Sequence, residues 1–342
     1  MGTALKLIHS YLTERQQCVE YNGSLSNFAN ISLGVPQGSV LGPLLFLIYI
    51  NDLPNICTRS HCLLYADDTV IIFEGNDVTK LQSDLDQELP TICEWLKANK
   101  LSLNTNKTVC QIYNKSQSIV HLRIMLNTNV IQVVEKVKYL GMIIDRNLKW
   151  NYHIDHLTAI ISRNIGIINR SKFFLDKQSL TLLYNTLILP YINYCCLVWG
   201  FTYPTYLYRI ELLQKRAVRI IDNQHRLAHA DPIFQKLKLL KIQDIAKQQL
   251  MILMHKKLTF NIPMHIDYLF ITVDPSVIRT RRRQHFIEPF TEKLYRTRVS
   301  TWVGPRLWNT FISPKYSLDD VCALSKYNLK KVTKNLFLQY VM

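Results

Sequence analysis

The spacing of apolar positions changes along the chain, and the elements it predicts change with it. Ala4, Leu5, Ile8, Tyr11 and Leu12 recur at steps of three and four and predict a helix. Two short β-like runs follow at 18–21 and 31–35, with Asn22-Gly23 as a turn signal between them. Ser39 is placed to cap a buried helix that continues through Ile50 and ends at Asn51-Asp52-Leu53-Pro54. Residues 61–66 and 69–73 are apolar runs of strand length, separated by Asp67-Asp68, the commonest length for a hairpin loop. Val78, Leu81, Leu85, Leu89, Ile92 and Leu96 mark an amphipathic helix, with a kink or break expected at Pro90. Strand-like runs return at 109–113, 130–134 and 137–144.

After Trp150 the pattern is helical. Ile154, Leu157, Ile160, Ile161, Ile165 and Ile168 share a face, as do Leu180, Leu183, Tyr184, Leu187 and Ile188. Segments 207–221 and 242–258 also read as helices. The most apolar stretch, 182–200, contains Asn185, Pro190 and Asn193, and reads as a buried helix pair broken at Pro190 rather than a membrane span. From Asn261 onward the chain is punctuated by proline, basic and irregular. The fold class expected is α/β to about residue 145 and mainly α afterwards. Neither an internal repeat nor a low-complexity segment is evident. Lys6 and His9 interrupt the apolar residues at the start, so no signal peptide is read there, and a nuclear or cytoplasmic protein away from membranes is expected.

Charge sharpens this picture. The 342 residues carry 41 Lys and Arg against 25 Asp and Glu, a net charge of +16. Residues 1–80 hold 4 basic and 7 acidic side chains, whereas 251–342 hold 15 and 6. An acidic front suits cations and a basic back suits phosphates, so nucleic acid is the expected partner. With 48% hydrophobic residues, global disorder is excluded. The eight cysteines have no disulfide-framework spacing. Cys57, His61 and Cys62 come nearest to a metal site but lack a second half-site, so reduced thiols are expected.

The sharpest local feature is Leu63-Leu64-Tyr65-Ala66-Asp67-Asp68-Thr69-Val70-Ile71-Ile72. Two adjacent carboxylates between apolar strands repel each other unless a cation offsets them, and a hairpin tip lets both lie near one exposed point. The competing reading is a solvated turn pair. About thirty residues upstream stands Gly34-Val35-Pro36-Gln37-Gly38-Ser39-Val40-Leu41-Gly42-Pro43-Leu44-Leu45-Phe46, a glycine- and proline-rich turn before a buried helix, where backbone can approach a ligand closely.

Together these motifs resemble the reverse transcriptases, specifically those of non-long-terminal-repeat (LINE-type, jockey-like) retrotransposons. The resemblance implies a partial right-hand polymerase palm over 1–145, a helical thumb over 146–225 and a basic C-terminal region over 226–342. It implies nucleotidyl transfer by two Mg²⁺ ions, with an RNA template, a DNA primer and deoxynucleoside triphosphates as partners. Tyr65-Ala66-Asp67-Asp68 is similar to the catalytic box, with Asp67 and Asp68 as metal ligands. Gly34, Pro36, Gln37, Gly38, Ser39 and Tyr65 are then the template- and nucleotide-contacting residues. Ser10-Tyr11-Leu12, Arg15 and Gln17 match the connection preceding the glycine-rich motif. Trp95, Ala98-Asn99-Lys100-Leu101-Ser102-Leu103-Asn104 and Lys107-Thr108 resemble the next palm motif, Lys107 standing where the family carries a lysine that protonates pyrophosphate; the competing reading is a solvated loop lysine. Tyr139, Leu140 and Gly141 resemble a primer grip. Gly304-Pro305 and Leu307-Trp308-Asn309 resemble a C-terminal motif.

Lys215, Arg216 and Arg219 on a thumb helix, and Arg281, Arg282 and Arg283 with Arg279, Lys293, Arg296, Arg298 and Arg306, are read as contacts to the nucleic-acid backbone. Tyr295, Trp302 and Trp308 are interleaved for base stacking. A nuclear-localisation patch or a plain solvated surface are the competing readings of the arginine stretch. The family's first catalytic aspartate, in a Phe-Asp-x-x-x-His motif, and its fingers have no counterpart from Met1 onward. The expectation is an N-terminally truncated enzyme, inactive as this polypeptide. A non-catalytic nucleic-acid-binding remnant is the alternative, and a translated pseudogene without a stable fold is the third.

Overall fold

Elements form where the apolar pattern can be buried, and the computed structural model shows them for residues 2–32, 34–36, 38–114, 122–126, 128–273, 284–289 and 300–339. The chain divides into two units, Met1–Val134 and Glu135–Met342.

The first unit opens with α1 (Thr3–Leu12), β1 (Arg15–Gln17), β2 (Glu20–Tyr21), β3 (Ser24–Leu25) and β4 (Ala29–Ile31). Asn22-Gly23 is a turn as expected, with both residues at positive φ (49° and 77°), the geometry a two-residue hairpin requires. The strands it joins are β2 and β3, however, and Ile31 pairs instead with Arg15. There follow α2 (Leu41–Ile50), a 3-10 turn at Leu53–Ile56, the antiparallel hairpin β5 (His61–Tyr65) and β6 (Asp68–Ile72), and α3 (Val78–Ala98). The Asp77 side chain caps α3, accepting from the Thr79 N–H at 2.9 Å.

The break expected at Pro90 is absent: α3 runs through it. Leu85, Leu89, Ile92 and Cys93 are buried on both sides of the proline, and their packing holds the helix across the missing N–H. Two short pairings complete the unit, β7 (Val109–Cys110) parallel to β10 (Gln132–Val133) and β8 (Met125–Leu126) antiparallel to β9 (Asn129–Val130). Ile50, Leu53 and Ile92 form one small core, over which Phe46, Cys62, Leu64, Ile71 and Trp95 pack. Leu85, Leu89, Ile124, Leu126 and Ile131 form another. α2 is apolar on every side, yet only Gly42 and Ile50 of it are buried.

The second unit opens with the hairpin β11 (Lys136–Tyr139) and β12 (Met142–Asp145). It continues with α4 (Asn151–Ser171), α5 (Lys177–Leu187), α6 (Leu189–Asn193), α7 (Cys196–Trp199), α8 (Pro204–Ile221), α9 (Asp231–Lys236), α10 (Ile242–Leu258) and α11 (Met264–Asp267). Ile154, Leu157, Ile161, Ile165 and Ile168 of α4 share one continuous core with Ile210, Ala217 and Val218 of α8 and Leu250, Met251 and Met254 of α10. The chain between 182 and 200 is helical and breaks at Ile188; Pro190 then lies in the first turn of α6, where its missing N–H costs nothing.

The end of the chain departs from the irregular texture expected of it. α12 (Ser300–Phe311), α13 (Leu318–Ala323) and α14 (Lys326–Gln339) are helices. Trp308, Ile312, Val321, Leu329, Leu336 and Phe337 join the same core, an apolar pattern that the interspersed lysines and prolines obscure. No helix among the described residues is long and apolar enough to cross a membrane.

Candidate active site

The β5–β6 hairpin carries the paired carboxylates, one residue out of the expected register. Tyr65 pairs with Asp68, so the two-residue loop is Ala66-Asp67, and Asp68 opens the second strand rather than closing the loop. Ala66 takes positive φ (51°), a left-handed conformation that an L-residue adopts at a cost. Cross-strand pairing puts Tyr65 and Asp68 on one face, both exposed, while Cys62, Leu64 and Ile71 turn the other face to the core beneath α2 and α3. Among the described residues, the side-chain carboxylates of Asp67 and Asp68 accept no hydrogen bond and form no ion pair. Two vicinal acceptors of this kind fit a hard divalent cation, which takes one or two carboxylates and leaves its other positions to water or phosphate.

Sequence reasoning missed the residue that anchors this hairpin. Glu88, only 3% exposed, accepts from the Arg59 N–H at 2.5 Å and from the Ser60 hydroxyl, fixing the entry to β5. Arg59 in turn pairs with Asp84 at 2.8 Å. The signal was available: Glu88 stands between Leu85 and Ile92 on the apolar face of α3, where a charge needs a partner. Cys57 and Cys62 lie beside it, and burial pushes the Cys62 thiol up to about 11 and raises Cys57 as well. Protonated thiols are poor metal ligands. Among the described residues no group of three or more His, Cys, Asp or Glu is arranged to hold a metal.

The glycine-rich loop precedes α2 and leads into the same core. Gly34 and Gly38 have φ of +76° and +80°, with open space where a Cβ would project, so glycine there answers a backbone conformation and leaves room above the chain. An Arg15 guanidinium N–H donates to the Gly34 carbonyl at 2.5 Å. The N-cap position of α2 is Val40, not Ser39 as expected; one residue earlier the Ser39 hydroxyl accepts from the Gly42 N–H at 3.0 Å and steadies the entry to the helix. Gly42 has no room for a side chain: a Cβ would stand 2.8 Å from Ser39 Oγ. Pro36 accepts from the Ser39 N–H through its carbonyl, and Gln37 lies outside the described residues. Lys107 is exposed at the end of a turn whose N–H groups bond back to Asn104. Trp95 Nε1 donates to Asp52 at 3.4 Å, which ties Asp52 to a packing role.

In the second unit Leu140 and Gly141 form the β11–β12 turn, both at positive φ (44° and 78°), flanked by the pair Tyr139 and Met142. The Leu140 carbonyl accepts from the Tyr194 hydroxyl at 2.7 Å. Asp145, also missed from sequence, is buried at the end of β12 and accepts from the N–H groups of Asn147, Lys149 and Trp150, which turns the chain into α4.

The basic candidates separate into engaged and free groups. Lys215 pairs with Glu211 at 2.7 Å, and that hydrogen bond raises its pKa. Arg219 Nε donates to the Ala228 carbonyl at 2.7 Å. Arg216 is exposed. Arg279, Arg281, Arg282, Arg283, Lys293, Tyr295, Arg296 and Arg298 lie outside the described residues. Arg306 stacks over Trp302 at 4.7 Å from the ring centre. Trp308 is fully buried, with Nε1 donating to His285 at 3.1 Å, so the base-stacking reading of this ring is corrected: it is a core residue. Asn309 beside it accepts from the His285 and Phe286 N–H groups and donates to the Phe286 carbonyl, which gives the Leu307-Trp308-Asn309 motif a structural basis.

Residues 1–144, which carry the paired-aspartate hairpin and the glycine-turned entry to α2, match the reverse transcriptase (RNA-dependent DNA polymerase) family. The chain is similar to the RNA-directed DNA polymerase from mobile element jockey of Drosophila funebris, 29% identical over 252 residues, covering 70% of this chain and 27% of that protein. It is likewise similar to the probable RNA-directed DNA polymerases from transposon BS (30% over 231 residues, 64% of this chain, 25% of that protein) and transposon X-element (26% over 250 residues, 70% and 27%) of Drosophila melanogaster. Residues 1–144 belong to the reverse transcriptase family, and the relatives that the longer match finds are RNA-directed DNA polymerases of LINE-type, non-long-terminal-repeat mobile elements. The chain spans about a quarter of the length of these curated relatives.

Proposed function

We propose that this chain is part of an RNA-directed DNA polymerase, with 1–145 contributing to the palm, 146–225 acting as the thumb and 226–342 as a basic C-terminal region. The observation that carries the reading is the Asp67-Asp68 pair, adjacent at an exposed turn and without a protein donor or cation among the described residues. Asp67 and Asp68 are the residues that would hold Mg²⁺. Bound there, the ion would polarise a primer hydroxyl and neutralise the triphosphate. Tyr65, on the face of Asp68, would lie against the incoming nucleotide, and the open backbone at Gly34 and Gly38 would admit template or nucleotide close to the chain. Lys107 is free to meet the leaving pyrophosphate, and Tyr139, Leu140 and Gly141 would bear on the primer end.

The resemblance implies three carboxylates where these residues supply two, so this polypeptide by itself is inactive. Purified chain on a primed RNA template with Mg²⁺ and deoxynucleotides gives no extension. Extension that Asp67→Ala abolishes would overturn the claim of inactivity while supporting the site. The site itself is tested by Mn²⁺ binding read by electron paramagnetic resonance: Asp67→Asn weakens it at least tenfold, and an unchanged affinity overturns the assignment.

A non-catalytic nucleic-acid-binding chain is the second reading. One observation favours it: the unit with the continuous helical core carries the positive charge. Salt-sensitive RNA binding indifferent to Mg²⁺ and to Asp67 would select it.

A further inference from the structure

α14 carries Lys326, Lys330 and Lys334 at steps of four, a single stripe along the helix, and no acidic residue occurs between Lys326 and Gln339. Like charges at this spacing disfavour a helix. The stripe is held in place by the opposite side of α14. There Leu329, Thr333, Leu336 and Phe337 are buried, and Gln248 Nε2 of α10 donates to the Lys330 carbonyl at 3.0 Å and to the Thr333 hydroxyl at 3.2 Å.

A fourth lysine is brought to the same place. Gln235 of α9 donates to the Leu338 carbonyl at 3.1 Å, tying the end of α9 to the end of α14. Lys238 follows two residues after α9, in a left-handed turn (φ 53°). Lys334 is partly buried; burial lowers its pKa, and Lys330 and Lys238 lower it further. Acids of α8, α9 and α10 near this face are paired with other lysines, Asp231 to Lys241 at 2.9 Å, Asp244 to Lys247 at 3.2 Å, and Asp222 to Lys177 and Lys236, and Asp320 of α13 is held in the Ser317 capping box. Among the described residues Lys238, Lys326, Lys330 and Lys334 form no ion pair, so the fold brings together a cluster of repelling cations.

We infer that Lys238, Lys326, Lys330 and Lys334 form a phosphate-backbone binding track for single-stranded nucleic acid on the α9–α14 face. Steps of four residues advance about 6 Å along a helix. A row of cations so spaced suits a repeating polyanion better than a single small anion. The inference rests on the nucleic-acid reading above, which supplies the chemistry of the partner, and it adds a site independent of Lys215, Arg216, Arg219 and the 281–283 arginines.

The test uses the full chain and a labelled single-stranded oligoribonucleotide of mixed sequence, with affinity measured across a KCl series. The variant Lys238→Gln, Lys326→Gln, Lys330→Gln, Lys334→Gln binds at least tenfold more weakly at low salt. Its log-affinity against log-salt slope is shallower by about 2–3, as expected for four lost phosphate contacts on a single strand. Its melting temperature without RNA stays the same or rises, because repulsion has been removed, which separates lost binding from lost folding. A control with Lys6, Lys80, Lys97 and Arg123 changed to Gln carries the same change in net charge. A quadruple variant indistinguishable from wild type or from this control overturns the track while leaving the nucleic-acid reading intact. Wild type that fails to bind RNA, or prefers polyglutamate of equal charge, overturns both.

Discussion

Ala66 shows what a single residue does at this site. Its left-handed backbone redirects the chain between β5 and β6 so that Asp67 occupies the turn and Asp68 begins a strand beside Tyr65. The aspartate pair was legible in the sequence; the register was not, since period-two alternation does not say where a turn begins and alanine has no turn preference. Ala66→Gly relieves the left-handed strain and raises stability by about 0.5–1 kcal/mol, measured by chemical denaturation. A loss of stability would show that the methyl group packs usefully. His153 offers a second test at this scale. It is buried edge-on against Trp199, and burial, with the nearby His156 charge, lowers its pKa to about 4. The unfolded chain takes up a proton near the ordinary value of 6.5 while the native state does not, so stability drops as pH falls from 6.5 toward 4. His153→Phe removes that contribution, so the melting temperature of the variant rises relative to that of wild type as pH falls through this window; parallel curves would refute the assignment.

At the scale of the element, turns and caps decide what periodicity leaves open. The β11–β12 turn needs two residues at positive φ and has glycine at only one of them. Leu140→Asn, which suits the left-handed conformation, stabilises the second unit by about 0.5–1 kcal/mol, whereas Gly141→Ala destabilises it by about 1 kcal/mol, both read by thermal melting. Should Leu140→Asn destabilise, the Leu140 side chain has a packing role that outweighs its backbone cost. Helices with uninterrupted apolar stripes were legible to the residue, as the bounds 242–258 of α10 show. α12 and α14 were not, because their buried Trp308, Leu329 and Leu336 are separated by prolines and lysines that locally read as irregular surface. α3 errs the other way: a proline predicts a break, and packing on both sides overrides it.

For the whole molecule, charge and core divide along the same line. The second unit holds 32 of the 41 basic residues and 14 of the 25 acids, a net charge of +18, which leaves −2 for the first. Composition exposed this asymmetry, while the inequality of packing needed coordinates, because an apolar helix such as α2 reads as buried whether or not anything covers it. Leu44, Leu47 and Ile48 of α2 are each more than half exposed, and the first unit's cores are small and separate. In the second unit α4, α8 and α10 contribute to one continuous core. Local opening is governed by how much apolar contact a segment would lose, so amide hydrogens should exchange in that order. Under native conditions the amides of α2 and of the β5–β6 hairpin exchange at least a hundredfold faster than those in the middle of α4 and α10, measured by mass spectrometry. Equal protection would mean that the exposed face of α2 is covered in solution, and its concentration dependence would then distinguish a second copy of the chain from contact within one molecule.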